Sequence, residues 1–507
     1  MGRRLNRDES RISTQSADAP AWSSTKVCKP NTRRSSRLSD GRRRLNRRCC
    51  PSHRVCFEAA PKAAVLQRKP NTVELKPSRK RAARWWPLWT RSADATGGGR
   101  CGSLVCREHI ALNDMSYPRA DARLSGLLTQ VESLRPLVET HRLAFPEGPD
   151  LPRPIAEAFL RAGLAQLWAP AEVNGAELPA PDLLRVVEAV AKLDGSLGWC
   201  TGISAVGTRI LGLLSEAASR RVTGNKTFGS SGSLLPGGRA VREGDGWRVQ
   251  GQWHFASFSR YSSLSLLGCI EYEDGSPKIL DGNPVTRLVV SRSDGIKVVG
   301  NWNATGLRAS GSHDIECHDV WVPDDQTSGF SAFQLPRSPG RPLYDIPLVS
   351  SAAISCIGVP LGIAAAAIDA FADIARKKVS FLQTASLQEQ EIVQLTVGRS
   401  KAKLASARAY AHAAVASVWA ASLNGTGASI AEQVDLRQAC WNAADVARGV
   451  VGDMYRMAGI AAAPNDSLLA TQFRDIHLVS QHINFADRLL VAPGRVALGM
   501  APGSPVI

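Results

Sequence analysis

Residues 115–507 lack any net charge. Of the chain's 62 Lys and Arg, 26 fall in residues 1–114, as do 9 of its 45 Asp and Glu, which leaves 36 of each sign for the rest. That balance excludes a globally basic fold and leaves enough chain to bury a large core. The cysteines lack paired short spacing. Cys28, Cys49, Cys50, Cys56, Cys101 and Cys106 precede Met115, while Cys200, Cys269, Cys317, Cys356 and Cys440 are scattered behind it. This excludes a disulfide framework and suits thiols buried in a reducing compartment. No N-terminal stretch has the apolar core of a signal peptide, so a cytoplasmic location is expected. One stretch only mimics a membrane span. The uncharged run from Ile346 to Ile368 is rich in Ala, Gly and Ser and is broken by Pro347 and Pro360. A span needs about 20 strongly apolar residues, so this run reads as a central buried helix. No internal repeat stands out, and the length of 507 residues suggests roughly three domains.

Residues 1–114 show neither a period of 2 nor one of 3.6. They hold Arg clusters (Arg42–Arg44, Arg47, Arg48), a Trp group (Trp85, Trp86, Trp89) and a Gly run (Gly97–Gly99), a composition that cannot form a packed core. Arg with interleaved Trp can bind phosphate and stack bases. Cys49, Cys50, His53 and Cys56, or Cys101, Cys106 and His109, are candidate zinc ligands, but without the paired spacing of structural sites. A targeting tail would have fewer acidic residues. The change of composition at an internal Met fits a disordered extension, or an over-extended reading frame with the native start at Met115. On that reading the chain has no nucleic-acid partner.

Beyond Met115 the pattern changes twice. Residues 115–227 read as helices: Leu124, Leu127, Leu128, Val131, Leu134 and Leu137 recur at helical spacing, as do Ile155, Phe159, Leu160 and Leu164. A further helix follows Pro181, and residues 197–218 read as one apolar helix. Residues 228–340 are rich in Gly, Ser and β-formers, with strands expected around Trp247–Phe255, Leu264–Ile270, Thr286–Val290 and His313–Val322, and a hairpin-type turn within Val241–Trp247. Residues 341–507 return to helices, near 346–378, 386–423, 428–461 and 468–490, long enough for a four-helix bundle. The expected class is α+β: a helical domain, a β-barrel or sandwich domain, and a helical bundle.

Three segments resemble the acyl-CoA dehydrogenase superfold. They are the stretch from Gly246 to Ser257, the stretch from Gly306 to Asp314 with Asp319-Val320-Trp321-Val322-Pro323 behind it, and Phe473-Arg474-Asp475. The resemblance covers about residues 118–500. It implies one of two chemistries, since fold alone does not set function. Acyl-CoA dehydrogenases bind FAD and remove an α-proton with a carboxylate. Oxygenase components of two-component flavin monooxygenases take reduced FMN or FAD from an NAD(P)H-dependent reductase, form a C4a-hydroperoxide with O2 and hydroxylate aromatic substrates. The second is similar in more particulars. Ile483-Asn484-Phe485 stands where dehydrogenases carry a Glu-Gly-Thr turn. His482, eight residues after Arg474, resembles the hydroxylase His that faces flavin and substrate. Where many dehydrogenases place their base, eight residues before the Arg, there is Asp466, which also reads as a helix cap or turn residue.

The resemblance implies further site residues. Ser257 stands where hydroxylases keep a Ser near flavin N5; a hydroxyl both donates and accepts, and the same Ser can instead bond its own backbone at a strand end. His482 would orient a phenol-like substrate and take up its proton; the alternative is a structural His. Ser230, Ser231 and Gly232 would form a turn offering N–H groups to the ring. Trp199 would pack on the ring or serve as a core aromatic. Arg376 would meet the flavin phosphate, from a neighbouring subunit of a homotetramer, or end its helix in solvent. Arg308 would serve the phosphate or its own turn. His477 has no role. No metal ligands are expected in the site. One departure matters: phenol hydroxylases of this group carry a His eight residues past the Trp, and here that position is Gly207. A heteroaromatic, sulfur or amino-sugar substrate would then replace a simple phenol.

Overall fold

The computed structural model describes residues 122–504 apart from 146, 225, 331–339 and 382. The basic segment of residues 1–114, with its candidate zinc ligands and proposed start at Met115, lies outside the described residues. Within them, no cluster of three His, Cys, Asp or Glu side chains is placed to hold a metal ion.

Six helices come first: α1 (Ala122–Ser133), α2 (Arg135–Thr140), α3 (Arg153–Arg161), α4 (Ala180–Leu193), α5 (Gly195–Arg209) and α6 (Glu216–Thr223). The expected single helix over 197–218 is two. Arg209 ends α5 because its buried guanidinium donates to the carbonyl oxygens of Leu343 (2.9 Å) and Ile346 (2.5 Å). A 3-10 turn over Ile210–Leu213 follows, Leu214 is extended, and the Ser215 hydroxyl caps α6 by accepting from Ala218 N–H.

Ten strands follow: β1 (Ser230–Glu243), β2 (Gly246–Ala256), β3 (Leu264–Glu273), β4 (Ser276–Pro277), β5 (Ile279–Leu280), β6 (Asn283–Pro284), β7 (Thr286–Arg292), β8 (Lys297–Val298), β9 (His313–Pro323) and β10 (Thr327–Phe330). One mixed sheet runs β10-β7-β3-β1-β2-β9-β8, with β4 on β3, while β5 and β6 form a separate pair. Among the described residues only β1 and β3 pair in parallel; the hairpin joining β1 to β2 turns at Gly244-Asp245, within the expected stretch Val241–Trp247. Trp253, buried inside this sheet, donates from its indole to Gly268 O at 2.7 Å.

The chain closes with α7 (Pro342–Asp345), α8 (Leu348–Lys377), α9 (Glu391–Leu423), α10 (Ile430–Ala458), α11 (Leu468–Val479) and α12 (Val491–Ala497). Helix α8 is long and apolar enough to cross a membrane, yet most of it is buried inside the protein. Its face of Ala, Gly and Ser lets α4, α5, α10 and α11 pack closely around it. One apolar core runs through both helical sets, from Leu124 to Phe485. The expected helix over 468–490 is the largest misreading in this region. Helix α11 ends at Val479, and short 3-10 turns cover Ile483–Phe485 and Asp487–Leu490. The helix stops because the chain is tied sideways: Asn484 donates from Nδ2 to Ala352 O on α8 (2.9 Å), and its Oδ1 accepts from Arg437 on α10 (3.3 Å).

Candidate active site

Four chain segments meet around Ser257. The first is α5, which begins where Asp194 accepts from Leu197 N–H and presents Trp199 one turn later. The second is the end of β2. The chain leaves the sheet there with Phe255 and Phe258 on either side of Ser257, both at positive φ (61° and 64°). Non-glycine residues there are strained, and such strain gathers at functional sites. The Phe258 ring holds that bend by packing edge-on against Phe159, centroids 5.3 Å apart. The third is the entrance to β9, with Ser310 and Ser312. The fourth is the segment after α11, with His482.

Hydrogen bonds link the first three. Trp199 Nε1–H donates to Ser257 Oγ at 2.9 Å. Ser257 Oγ lies 2.7 Å from Ser312 Oγ, which lies 2.7 Å from Ser310 Oγ. All four side chains are buried. His482 adds an aromatic contact: its ring meets the Trp199 ring edge-on, with centroids 4.9 Å apart. The sequence alone had singled out Trp199, Ser257 and His482, and the structure brings them together. It had not assigned Ser310 and Ser312 to the site; Gly311 between them has φ +57°, so their meeting comes from a left-handed bend that strand alternation does not predict.

His482 is not on a helix. It is extended (φ −67°, ψ 145°) and caps the 3-10 turn that follows, its Nδ1 accepting from Asn484 N–H at 3.3 Å. Burial, with the Arg437 cation nearby, pulls its pKa down to about 4. The ring is therefore neutral near pH 7. With Nδ1 accepting, its proton sits on Nε2. In this arrangement the neutral ring presents an N–H at Nε2.

Ser230, Ser231 and Gly232 open β1 rather than forming a turn. The Ser230 N–H is committed to Ser204 Oγ (3.0 Å), and Ser231 Oγ accepts from Ser262 Oγ (2.8 Å). Gly232 has φ +124°, and a Cβ there would lie 2.0 Å from Leu266 O, so only glycine fits where β1 runs against β3. Gly207 has a packing cause too: a Cβ there would lie 2.1 Å from Ser230 Oγ and 3.0 Å from Leu266 Cδ1. The departure at this position leaves no spare space.

A second polar junction lies at the base of the site. Asp475, buried on α11, accepts from Leu307 N–H at 2.6 Å. Leu307 has φ +44°, so the Asp475 carboxyl holds a strained backbone in the loop leading to Ser310. Asp475 and Asp194 line one small cavity with Ser196, Thr305, Arg308 and Arg474. Burial raises both carboxyls, and for Asp475 the charge of Asp194 adds to the rise. Arg308 braces its own turn, donating to Ala304 O at 3.2 Å. Arg376 is an exposed helix end paired with Asp373. Asp466 sits in an exposed turn before Ser467, which takes the cap position of α11. His477 packs edge-on against Phe473.

A separate cleft of about 700 Å³ opens at one end of the sheet, lined by Ser231, Ser259, Ser262, Ser265, Arg153 and Arg260 among others. Ser231 lines this cleft as well as being one of the residues the resemblance implies for the site.

Comparison with known proteins agrees with this architecture. Residues 354–487 match the acyl-CoA dehydrogenase C-terminal domain. Indole-3-acetate monooxygenase from Acinetobacter baumannii is 26% identical over 349 residues, covering 69% of this chain and 87% of that protein. The oxygenase subunit HsaA of a flavin-dependent monooxygenase from Rhodococcus jostii is 25% identical, covering 73% and 98%. Among solved structures, XiaF from Streptomyces sp., determined with FADH2 and glycerol, superposes with TM-score 0.68 at 19% identity, over 76% of this chain and 98% of that one.

Proposed function

We propose that this chain, which has the acyl-CoA dehydrogenase-like fold and is related in sequence to oxygenase components of flavin-dependent monooxygenases, is itself such an oxygenase. It would take reduced FMN or FAD from a separate NAD(P)H-dependent flavin reductase, use O2, and hydroxylate an aromatic or heteroaromatic small molecule. The observation that carries this reading is the buried link from Trp199 through Ser257 to Ser312, with neutral His482 against the same indole. The dehydrogenase reading loses support because its candidate base, Asp466, is on an exposed turn.

The residues present suit a flavin. Trp199 and His482 supply an aromatic wall, and Ser257 supplies a hydroxyl beside it. We assign Ser230, Ser231 and Gly232 at the start of β1 to the flavin as well, through backbone groups other than the committed Ser230 N–H. The flavin, when bound, supplies the electrons that activate O2. The chain's own residues do the rest. The buried serines and indole exclude water. His482 Nε2–H offers a hydrogen bond to an acceptor atom of the substrate, which suits a heteroaromatic or carbonyl-bearing ring that needs no deprotonation. The close approach of Ser230 Oγ and Leu266 Cδ1 to a Cβ at Gly207 fits the same preference. We read residues 115–227, 228–340 and 341–507 as three domains of a cytoplasmic homotetramer, in which Arg376 reaches a neighbour's flavin phosphate, with no nucleic-acid or membrane partner.

The test is direct. Protein loaded anaerobically with reduced FMN or FAD is mixed with O2, and flavin reoxidation is followed by absorbance. Reoxidation markedly slower than for free flavin, with no flavin bleaching by acyl-CoA thioesters, is the expected result. Reoxidation at the free-flavin rate for both cofactors would overturn the proposal.

A further inference from the structure

We infer that Ser312, with Ser310 behind it and Trp199 beside it, fixes the direction of the Ser257 hydroxyl so that its proton is offered into the flavin site. Ser312 is on this view a positioning residue, and the inference rests on the function proposed above.

An indole N–H can only donate, so Trp199 fills one of the two acceptor positions on Ser257 Oγ. Ser257, Ser312 and Ser310 carry three hydroxyl protons and make two bonds among themselves. One proton is left over. It cannot be left cheaply at Ser310, which is 1% exposed and whose hydroxyl has no other partner among the described residues. Nor can it be left at Ser312, whose hydroxyl touches only its two serine neighbours there. A buried donor without an acceptor bears its full desolvation cost. Ser257 is buried too, but it is the member bonded to Trp199, and a flavin bound against the Trp199–His482 pair would accept the proton there. The chain therefore runs Ser310 to Ser312 to Ser257. Both acceptor positions of Ser257 are then filled by donors, and its own proton is the one presented.

Neighbouring contacts hold the chain in place. Ser310 N–H donates to Leu307 O (3.0 Å), inside the loop that Asp475 anchors. Next to Ser312, buried His313 accepts from Trp302 N–H at Nδ1 (2.8 Å) and meets Asp150 through Nε2 (3.2 Å). Ser312 thus has a fixed backbone on both sides, and its hydroxyl is the part left to choose a direction.

The experiment uses the full-length protein with Ser312→Ala, Ser312→Thr and Trp199→Phe. In the flavin-free protein, the Trp199 indole ¹⁵N–H resonance, assigned by its loss in Trp199→Phe, reports the Ser257 acceptor. It is expected to move in Ser312→Ala and to return in Ser312→Thr. In the protein loaded with reduced FMN, hydrogen peroxide release after mixing with O2 is expected to rise about fivefold in Ser312→Ala, the effect of one neutral hydrogen bond. The solvent deuterium isotope effect on that release should change with it, while the Kd for oxidised FMN stays within about twofold. An unmoved indole resonance, or wild-type peroxide release in Ser312→Ala that still binds FMN, overturns the inference. A wild-type protein that binds neither FMN nor FAD overturns the proposed function instead, and the indole resonance still decides the hydroxyl direction.

Discussion

Chemistry at the residue scale turns on one proton at His482. Because Nδ1 accepts from Asn484 N–H, the neutral ring presents Nε2–H, and burial holds it neutral down to about pH 4. The sign of the consequence follows. A histidine whose folded pKa lies below its unfolded value leaves the unfolded chain holding more protons between about pH 6.5 and 4. The folded state is at its full stability above that window and loses ground as pH falls through it. His412 shares the downward shift to about 4, so a wild-type acid profile mixes two histidines, and His482→Gln separates them. In that variant, stability measured by urea unfolding should fall less steeply between pH 6.5 and 4, by on the order of 2 kcal/mol across the window. An unchanged acid limb would mean that the ring is not buried as described. Gly207 is tested at the same scale. Gly207→Ala places a Cβ against Ser230 Oγ and Leu266, an overpacking expected to cost about 1–3 kcal/mol. Unfolding midpoints read it, and a neutral outcome would show that α5 can shift away from β1.

At the scale of elements, α5 and α11 are registered by carboxylates. Asp194 caps the helix that carries Trp199, and Asp475 holds the strained Leu307 backbone ahead of the serines. Asp475→Ala leaves a buried N–H unpaired and should cost about 1–3 kcal/mol; Asp475→Asn keeps an acceptor and should cost less. The two also differ in pH response. The Asp475 carboxyl is raised, so the folded chain keeps its proton where the unfolded chain has lost it. That stabilisation is complete below the ordinary carboxylate range and is lost as pH rises through the folded value. Asp475→Asn lacks this loss, so its Tm should gain on the wild type from pH 5 to pH 8; a constant difference would refute the raised carboxyl. Arg474-Asp475 was legible in the sequence as a fold marker through its resemblance to the acyl-CoA dehydrogenase superfold. Its work was not legible, because the Leu307 N–H it satisfies lies 168 residues away. Helix ends failed for a related reason. Periodicity ran on past Arg209 and Val479, whereas the stops are set by Arg209 reaching Leu343 and Ile346, and by Asn484 reaching Ala352.

For the whole molecule, the order of helices, strands and helices could be read from pattern, since hydrophobic period and Gly/Ser content change along the chain. The sheet order could not: β1 lies between β2 and β3, in parallel with β3, and nothing local encodes a parallel neighbour. The long apolar helix α8 was read correctly as core because Ala, Gly and Ser suit close helix contacts better than lipid. Charge is the remaining whole-chain property. All of the net +17 falls in residues 1–114, and residues 115–507 balance. Affinity for nucleic acid grows with the number of phosphates neutralised and falls steeply with salt. Any salt-sensitive retention on a nucleic-acid column should therefore belong to the first 114 residues alone. A chain beginning at Met115 is expected to pass through at low salt while keeping the thermal unfolding transition and the flavin affinity of the full chain. Retention of that shorter chain, weakening with salt, would place a basic surface on the folded part and reopen the question of its partner.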